Sequence, residues 1–206
     1  VFMTLSGTLK RAAVKLSKIC NDLRLLSSGP QAGFGEINLP ARQAGSSIML
    51  GKVNPVIPEV VNQVAFAVIG SDATVTAASE AGQLQLNAFE PIIASSLMQS
   101  LVWLTNACKT LRLNCIDGIT ANEDRLRQMV EESVGVVTAL TPYIGYVKSA
   151  AIAHEALAGG GTVRELVIAQ GLMDEAELDS VLSPQRLSGL SLATGIILLP
   201  PVDEDQ

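Results

Sequence analysis

Between residues 93 and 115, apolar side chains stand at Ile93, Leu97, Leu101, Leu104, Cys108, Leu111 and Cys115, in steps of four, four, three, four, three and four. A helix is the structure that returns side chains to one face at that spacing, and alternating steps of three and four approach the repeat of about 3.5 residues found in helices packed lengthwise. The chain is therefore constrained toward a bundle of long helices. This segment is also nearly uncharged. It carries only Lys109 and Arg112, residues 60–70 carry no charge, and residues 117–132 carry seven.

Across all 206 residues, 17% are charged and 48% apolar, whereas soluble domains average about 25% charged. A surface so short of charge is either in lipid or covered by other chains. Spanning a bilayer takes about 20 consecutive apolar residues, and the apolar stretches at 60–69 and 193–202 are roughly half that and interrupted by Asn, Gln, Gly or Pro. No membrane association is expected, and partner chains are the better explanation. A net charge of -6 and a pI near 4.8 argue against nucleic acid, which selects for a basic stripe. Cys20, Cys108 and Cys115 read as reduced core residues of a cytosolic protein. The opening Val1 in mid-pattern suggests a piece of a longer polypeptide.

Other segments are helical too. Leu16, Ile19, Cys20, Leu23 and Leu26 mark one face of a helix ending near Ser27, and Val60, Val61, Val64, Ala65, Val68 and Ile69 mark another that opens at Pro55–Pro58 and continues past Gly70 to about Ala81. Between them, residues 28–55 hold Gly29, Pro30, Gly33, Gly35, Pro40, Gly45 and Gly51, a long loop of the kind that is usually functional. After Asp117 the helices are shorter. Thr120 with Glu123, Thr162 with Glu165 and Asp174 with Glu177 have capping-box spacing, Thr141–Pro142 opens another helix, and Gly159–Gly161 forms a hinge. The expected fold is all-α, with a long-helix bundle segment at 1–115 and a small helical C-terminal domain at 116–206 that ends in an irregular tail after Ser188.

Ordinary catalytic inventories give little. His154 is the only histidine and reads as a surface or packed residue, and no metal-ligand spacing is present. Gly33-Phe34-Gly35 and Gly159–Gly161 lack the context of a phosphate loop. The exception is the segment 45–55, Gly45-Ser46-Ser47-Ile48-Met49-Leu50-Gly51-Lys52-Val53-Asn54-Pro55. Two hydroxyls, a cation and an amide share a glycine-flanked loop just before a helix whose amino end favours anions. Such a loop could hold a carboxylate through Lys52 and Asn54 and present a serine to the adjacent carbon. It could equally be an ordinary cap-and-turn segment.

This block resembles the signature loop of the aspartase/fumarase superfamily, whose members reversibly eliminate ammonia, water or an amine to give fumarate. The resemblance runs from about Leu5 to Leu182 and takes in Asn21-Asp22-Leu23-Arg24 and Ser28-Gly29-Pro30 before the loop. After it come Asn54-Pro55-Val56-Ile57-Pro58-Glu59-Val60-Val61-Asn62-Gln63-Val64 and Ala78-Ser79-Glu80-Ala81-Gly82-Gln83-Leu84-Gln85-Leu86-Asn87. The last two stretches look most like the branch that acts on aspartate, with the fumarases more distant.

The resemblance implies roles. Ser46 matches the general base on a mobile loop, Ser47, Lys52 and Asn54 match substrate-binding positions, and Glu59 matches a glutamate that pairs with a catalytic-site histidine. That histidine lies on the family's N-terminal portion, absent from this sequence. The implied activity is that of a carbon–nitrogen lyase converting L-aspartate to fumarate and ammonia, with no cofactor or metal, in a cytoplasmic homotetramer whose active sites are composite. The chain alone is expected to be inactive. A fumarate hydratase or another fumarate-producing lyase is the alternative within the superfamily, and a non-catalytic truncated helical scaffold is the alternative of another kind. One departure falls in the signature itself, where Leu50 stands at the family's proline position.

Overall fold

The computed structural model describes residues 1–29, 32–45 and 53–189. The chain divides into two compact units, Val1–Glu123 and Asp124 onward.

Three helices of 25 residues each form the first unit: α1 (Phe2–Leu26), α2 (Val56–Glu80) and α3 (Glu90–Asn114). Each runs about 37 Å at the α-helical rise. α2 lies in the middle, packed along its length against both neighbours, while α1 and α3 touch far less. Its bonds to α1 run from Asp72 opposite Ser6 and Lys10 to Asn62 opposite Ser17, so the two helices are antiparallel. Their apolar contacts form three successive layers. Val75, Ala78, Ile93 and Leu97 fill one end, Ala13, Ala65, Val68 and Leu104 the middle, and Cys20, Val61, Ala107, Leu111 and Cys115 the other end.

The seam on α3 is rotated from the expected stripe. Ile93, Leu97, Leu104 and Leu111 are buried as the spacing predicts, but Leu101 and Cys108 face outward and Ser96, Ser100 and Ala107 are buried in their place. Small side chains let α2 approach closely, and an apolar-only pattern overlooks them. For the same reason Ser6, Ala13 and Ser17 line the buried face of α1, whereas Ile19 is exposed; on α2, Val60 is exposed. Cys108 is thus a surface thiol, and only Cys20 and Cys115 belong to the core.

Phe66, Met98 and Trp103 are among the large apolar side chains that remain open on these helices. By length and composition α2 could cross a bilayer, with a mean hydropathy of 1.2 over its most apolar 18 residues. Residues 60–69 alone do not reveal this property. In this fold α2 is flanked by helices instead, and Asn62 and Asp72 in its middle are bonded to α1.

After α3, a short 3-10 turn at Ile116–Gly118 leads to a two-residue strand, β2 (Thr120–Ala121), which pairs antiparallel with β1 (Ile37–Asn38). Thr120 therefore does not cap the following helix, α4 (Glu123–Glu131). Its backbone belongs to the strand pair and its Oγ1 accepts from Asn38 Nδ2 at 3.3 Å. Pairing with a segment more than 80 residues away has overridden a local capping signal.

The second unit contains a 3-10 stretch (Val134–Leu140), α5 (Thr141–Ile144), α6 (Tyr146–Leu157), α7 (Val163–Ala169), α8 (Glu175–Val181) and α9 (Pro184–Leu187). Leu140, Ile144, Ile152, Val163, Leu166, Val167, Met173, Leu178 and Val181 form its core. The capping box of Thr162 with Glu165 is complete, and Asp174 Oδ1 accepts from the Glu177 amide. Thr141 is the first residue of α5 rather than its cap. Gly159 and Gly161, at φ +86° and +128°, make the turn between α6 and α7. His154 is exposed on α6. The tail after Ser188 lies outside the described residues from position 190 onward.

Candidate active site

Residues 28–29 and 32–45 belong to the stem leading to the signature loop, and they are tied down at several points. Ser28 Oγ accepts from the Phe34 amide at 3.1 Å and Ser28 O from the Gly35 amide at 2.9 Å. The tight return leaves no room for a side chain at position 33, where a Cβ would lie 2.4 Å from Ser28 O. Further along, the β1–β2 pairing is reinforced by Asn122 Nδ2, which donates to Gly35 O at 2.7 Å. Arg42 then fastens the stem to the carboxyl end of α3, donating from Nε to Asn114 O at 2.8 Å and from Nη2 to Leu113 O at 3.3 Å. Those carbonyls have no helical partner, and a cation there also complements the helix dipole. Gly45, at φ +93°, ends the described part of the stem.

Ser46, Ser47 and Lys52, together with Leu50, lie outside the described residues. The chain is described again from Val53, and it enters α2 through Asn54 and Pro55. Asn54 is half-buried, and its carbonyl accepts from the Val56 amide at 2.9 Å. Glu59 sits in the first turn of α2, where a carboxylate opposes the positive end of the helix dipole. Arg24 faces it from the last turn of α1, with Nε 4.0 Å from Glu59 Oε1. Each of these charges suits the helix end on which it stands.

One turn deeper along the same interface, Asn62 Nδ2 donates to Ser17 Oγ at 2.8 Å, to Ser17 O at 3.1 Å and to Asn21 Oδ1 at 3.1 Å. Asn62 is buried and so is Ser17. These bonds set the axial register of α1 against α2, and that register brings Arg24 opposite Glu59. Arg24 and Asn62 escape a search for reactive side chains because neither stands in the glycine loop. The available signal was a basic residue in the last turn of one helix and an acidic residue in the first turn of the next. Among the described residues, no group of three or more His, Cys, Asp or Glu side chains could hold a metal ion.

Comparison with known proteins gives this arrangement its context. Residues 2–70 match the Lyase family model and residues 136–189 match Fumarase C C-terminus. Curated aspartate ammonia-lyases from Pseudomonas fluorescens and Corynebacterium glutamicum are each 62% identical to this chain, covering 90% and 88% of it and 39% and 34% of their own lengths. The enzyme from Escherichia coli strain K12 is 56% identical over 90% of this chain and 39% of its own. A solved fumarate lyase:delta crystallin from Brucella melitensis, bound to cobalt, superposes with a TM-score of 0.86 at 57% identity over 91% of this chain and 40% of that one. For a class II fumarase from Schistosoma mansoni the TM-score is 0.81 at 35% identity, over 91% and 39%.

By fold and by sequence the chain is thus similar to lyases of the helical-bundle type. The chain belongs to the aspartase/fumarase superfamily, and it spans about two fifths of the length of the curated aspartate ammonia-lyases it resembles.

Proposed function

We propose that the chain is the C-terminal portion of an aspartate ammonia-lyase and supplies the serine loop of a composite active site. The observation that carries this reading is the identity of about 60% to curated aspartate ammonia-lyases along nine tenths of the chain. Lys52 and Asn54 hold a substrate carboxylate with Ser47, and Ser46 removes the proton from the neighbouring carbon. That proton is weakly acidic, and its removal places a second negative charge on the carboxylate as an enediolate. Donors must therefore aim at where the charge develops, a task suited to Lys52 and the amino end of α2. Serine oxygen is a poor base in water, so the site must exclude solvent as the loop closes over the substrate. Loss of ammonia then gives fumarate. Glu59 pairs with a histidine supplied by the N-terminal portion.

In this reading the sparsely charged faces of α2 and α3 are covered by other subunits of a cytoplasmic homotetramer. Assembly of the chain with the N-terminal portion of a relative should restore fumarate formation from L-aspartate, followed by absorbance, and Ser46→Ala should abolish it. The chain alone should be inert. An inert assembly, or turnover by the chain alone, would overturn the reading. The match to Fumarase C C-terminus at 136–189 favours a second reading, fumarate hydration to malate, and activity on L-malate alone would establish that instead.

A further inference from the structure

We infer that Arg24 is a positioning residue for Glu59, a role that rests on the proposed lyase reading and extends it to a side chain outside the signature loop. Glu59 stands at the amino end of α2 with its side chain 38% exposed, and Arg24 stands at the carboxyl end of α1 with its side chain 42% exposed, Nε 4.0 Å from Oε1. A glutamate side chain left to itself samples several rotamers. A glutamate that must present one oxygen to a histidine of the N-terminal portion benefits from a fixed charge beside the other.

Three features make Arg24 suited to that task. The antiparallel helices bring a helix carboxyl end beside a helix amino end, so Arg24 and Glu59 each complement their own helix dipole as well as each other. The contact does not depend on Arg24 for its register, because Asn62, Ser17 and Asn21 lock α1 against α2 one turn deeper. The contact is an ion pair without a hydrogen bond, and the guanidinium keeps its charge throughout the working pH range, so it biases the carboxylate toward Arg24 electrostatically. Removing Arg24 should therefore loosen Glu59 without unpacking the helices. The surface pair contributes little to stability, and its effect falls on the chemical step.

The test uses the assembly with the N-terminal portion, assayed for fumarate from L-aspartate. Arg24→Gln should lower kcat by about tenfold while KM changes less than about twofold, as expected for a group that orients catalytic machinery without binding substrate. The melting temperature should stay within about one degree, and Arg24→Lys should regain part of kcat. Glu59→Gln combined with Arg24→Gln should be no slower than Glu59→Gln alone, because one residue acts through the other. Effects that multiply, or an unchanged kcat in Arg24→Gln, would overturn the inference. Ser46→Ala separates the two levels of the argument. If that variant is inactive while Arg24→Gln is fully active, only the role of Arg24 fails; if Ser46→Ala turns over normally, the lyase reading fails with it.

Discussion

Asn62 on α2 donates its Nδ2 to Ser17 Oγ on α1 across 2.8 Å, with both residues buried. Polar groups in a helix seam are costly unless paired; among the described residues Asn62 is paired through Nδ2 alone, its buried Oδ1 having no partner, and the Nδ2 pairing is a specificity device. A sliding apolar interface accepts several registers, but one amide reaching the Ser17 hydroxyl, the Ser17 carbonyl and Asn21 accepts one. The head of α2, with Asn54 and Glu59, inherits its position from that lock.

Asn62→Ala should destabilise the first unit by about 1–3 kcal/mol, since it leaves the buried Ser17 side chain without its donor. Trp103 is the only tryptophan in the chain and lies on α3, so its fluorescence in a urea titration reports this unit alone. A midpoint equal to that of the parent chain would show that the amide does not set the register.

Asp72 gives the same interface a pH dependence. Ser6 Oγ donates to Oδ1 at 2.7 Å and Lys10 Nζ to Oδ2 at 3.0 Å, and the Ser6 bond first, then Lys10, hold the carboxyl below its usual range despite partial burial. A group whose folded pKa is depressed adds stability above its unfolded pKa and loses it as pH falls through the folded value. The first unit should therefore weaken below about pH 4. In Asp72→Asn the urea midpoint should be lower at neutral pH and should fall less on acidification. Parallel pH profiles for the two chains would contradict this account.

Legibility in the sequence followed the range of the forces involved. Steps of three and four marked all three long helices, and the capping oxygens of Thr162 and Asp174 marked the starts of α7 and α8, because both signals are local. The spacing points Leu101, Cys108, Ile19 and Val60 inward, yet they lie outward, since hydrophobicity does not distinguish one seam of a helix from a second apolar face. Thr120 has the spacing of a cap, and its pairing with Asn38 is invisible over a short window. In the candidate site, the glycine-flanked loop and the helix after it stood out by composition. Arg42 and Arg24 did not, because their roles come from where α1 and α3 end in space.

Two glycines should respond in opposite directions to the same substitution. At Gly33 a Cβ would press on the backbone of Ser28 at 2.4 Å, and backbone cannot move aside as a side chain does. Gly33→Ala should cost about 1–3 kcal/mol and displace the stem that leads to Gly45. At Gly70, inside α2, an added Cβ meets nothing within 4 Å, so Gly70→Ala should stabilise the isolated chain by about 0.5–1 kcal/mol. Thermal unfolding of both variants beside the parent chain checks the contrast, and shifts of the same sign would refute it.

Leu50 offers a direct test of the loop's role in turnover. Replacing it with the proline that the superfamily resemblance places here reduces the freedom of the chain before substrate binds, which should save about 0.4–1 kcal/mol if this segment orders over substrate. If closure precedes proton abstraction, that saving lowers the barrier measured from free enzyme and substrate. Leu50→Pro in the assembled enzyme should then raise kcat/KM by about two- to fivefold, and Ser46→Ala in the same background should cancel the gain. An unchanged kcat/KM would mean that ordering this loop does not limit the reaction.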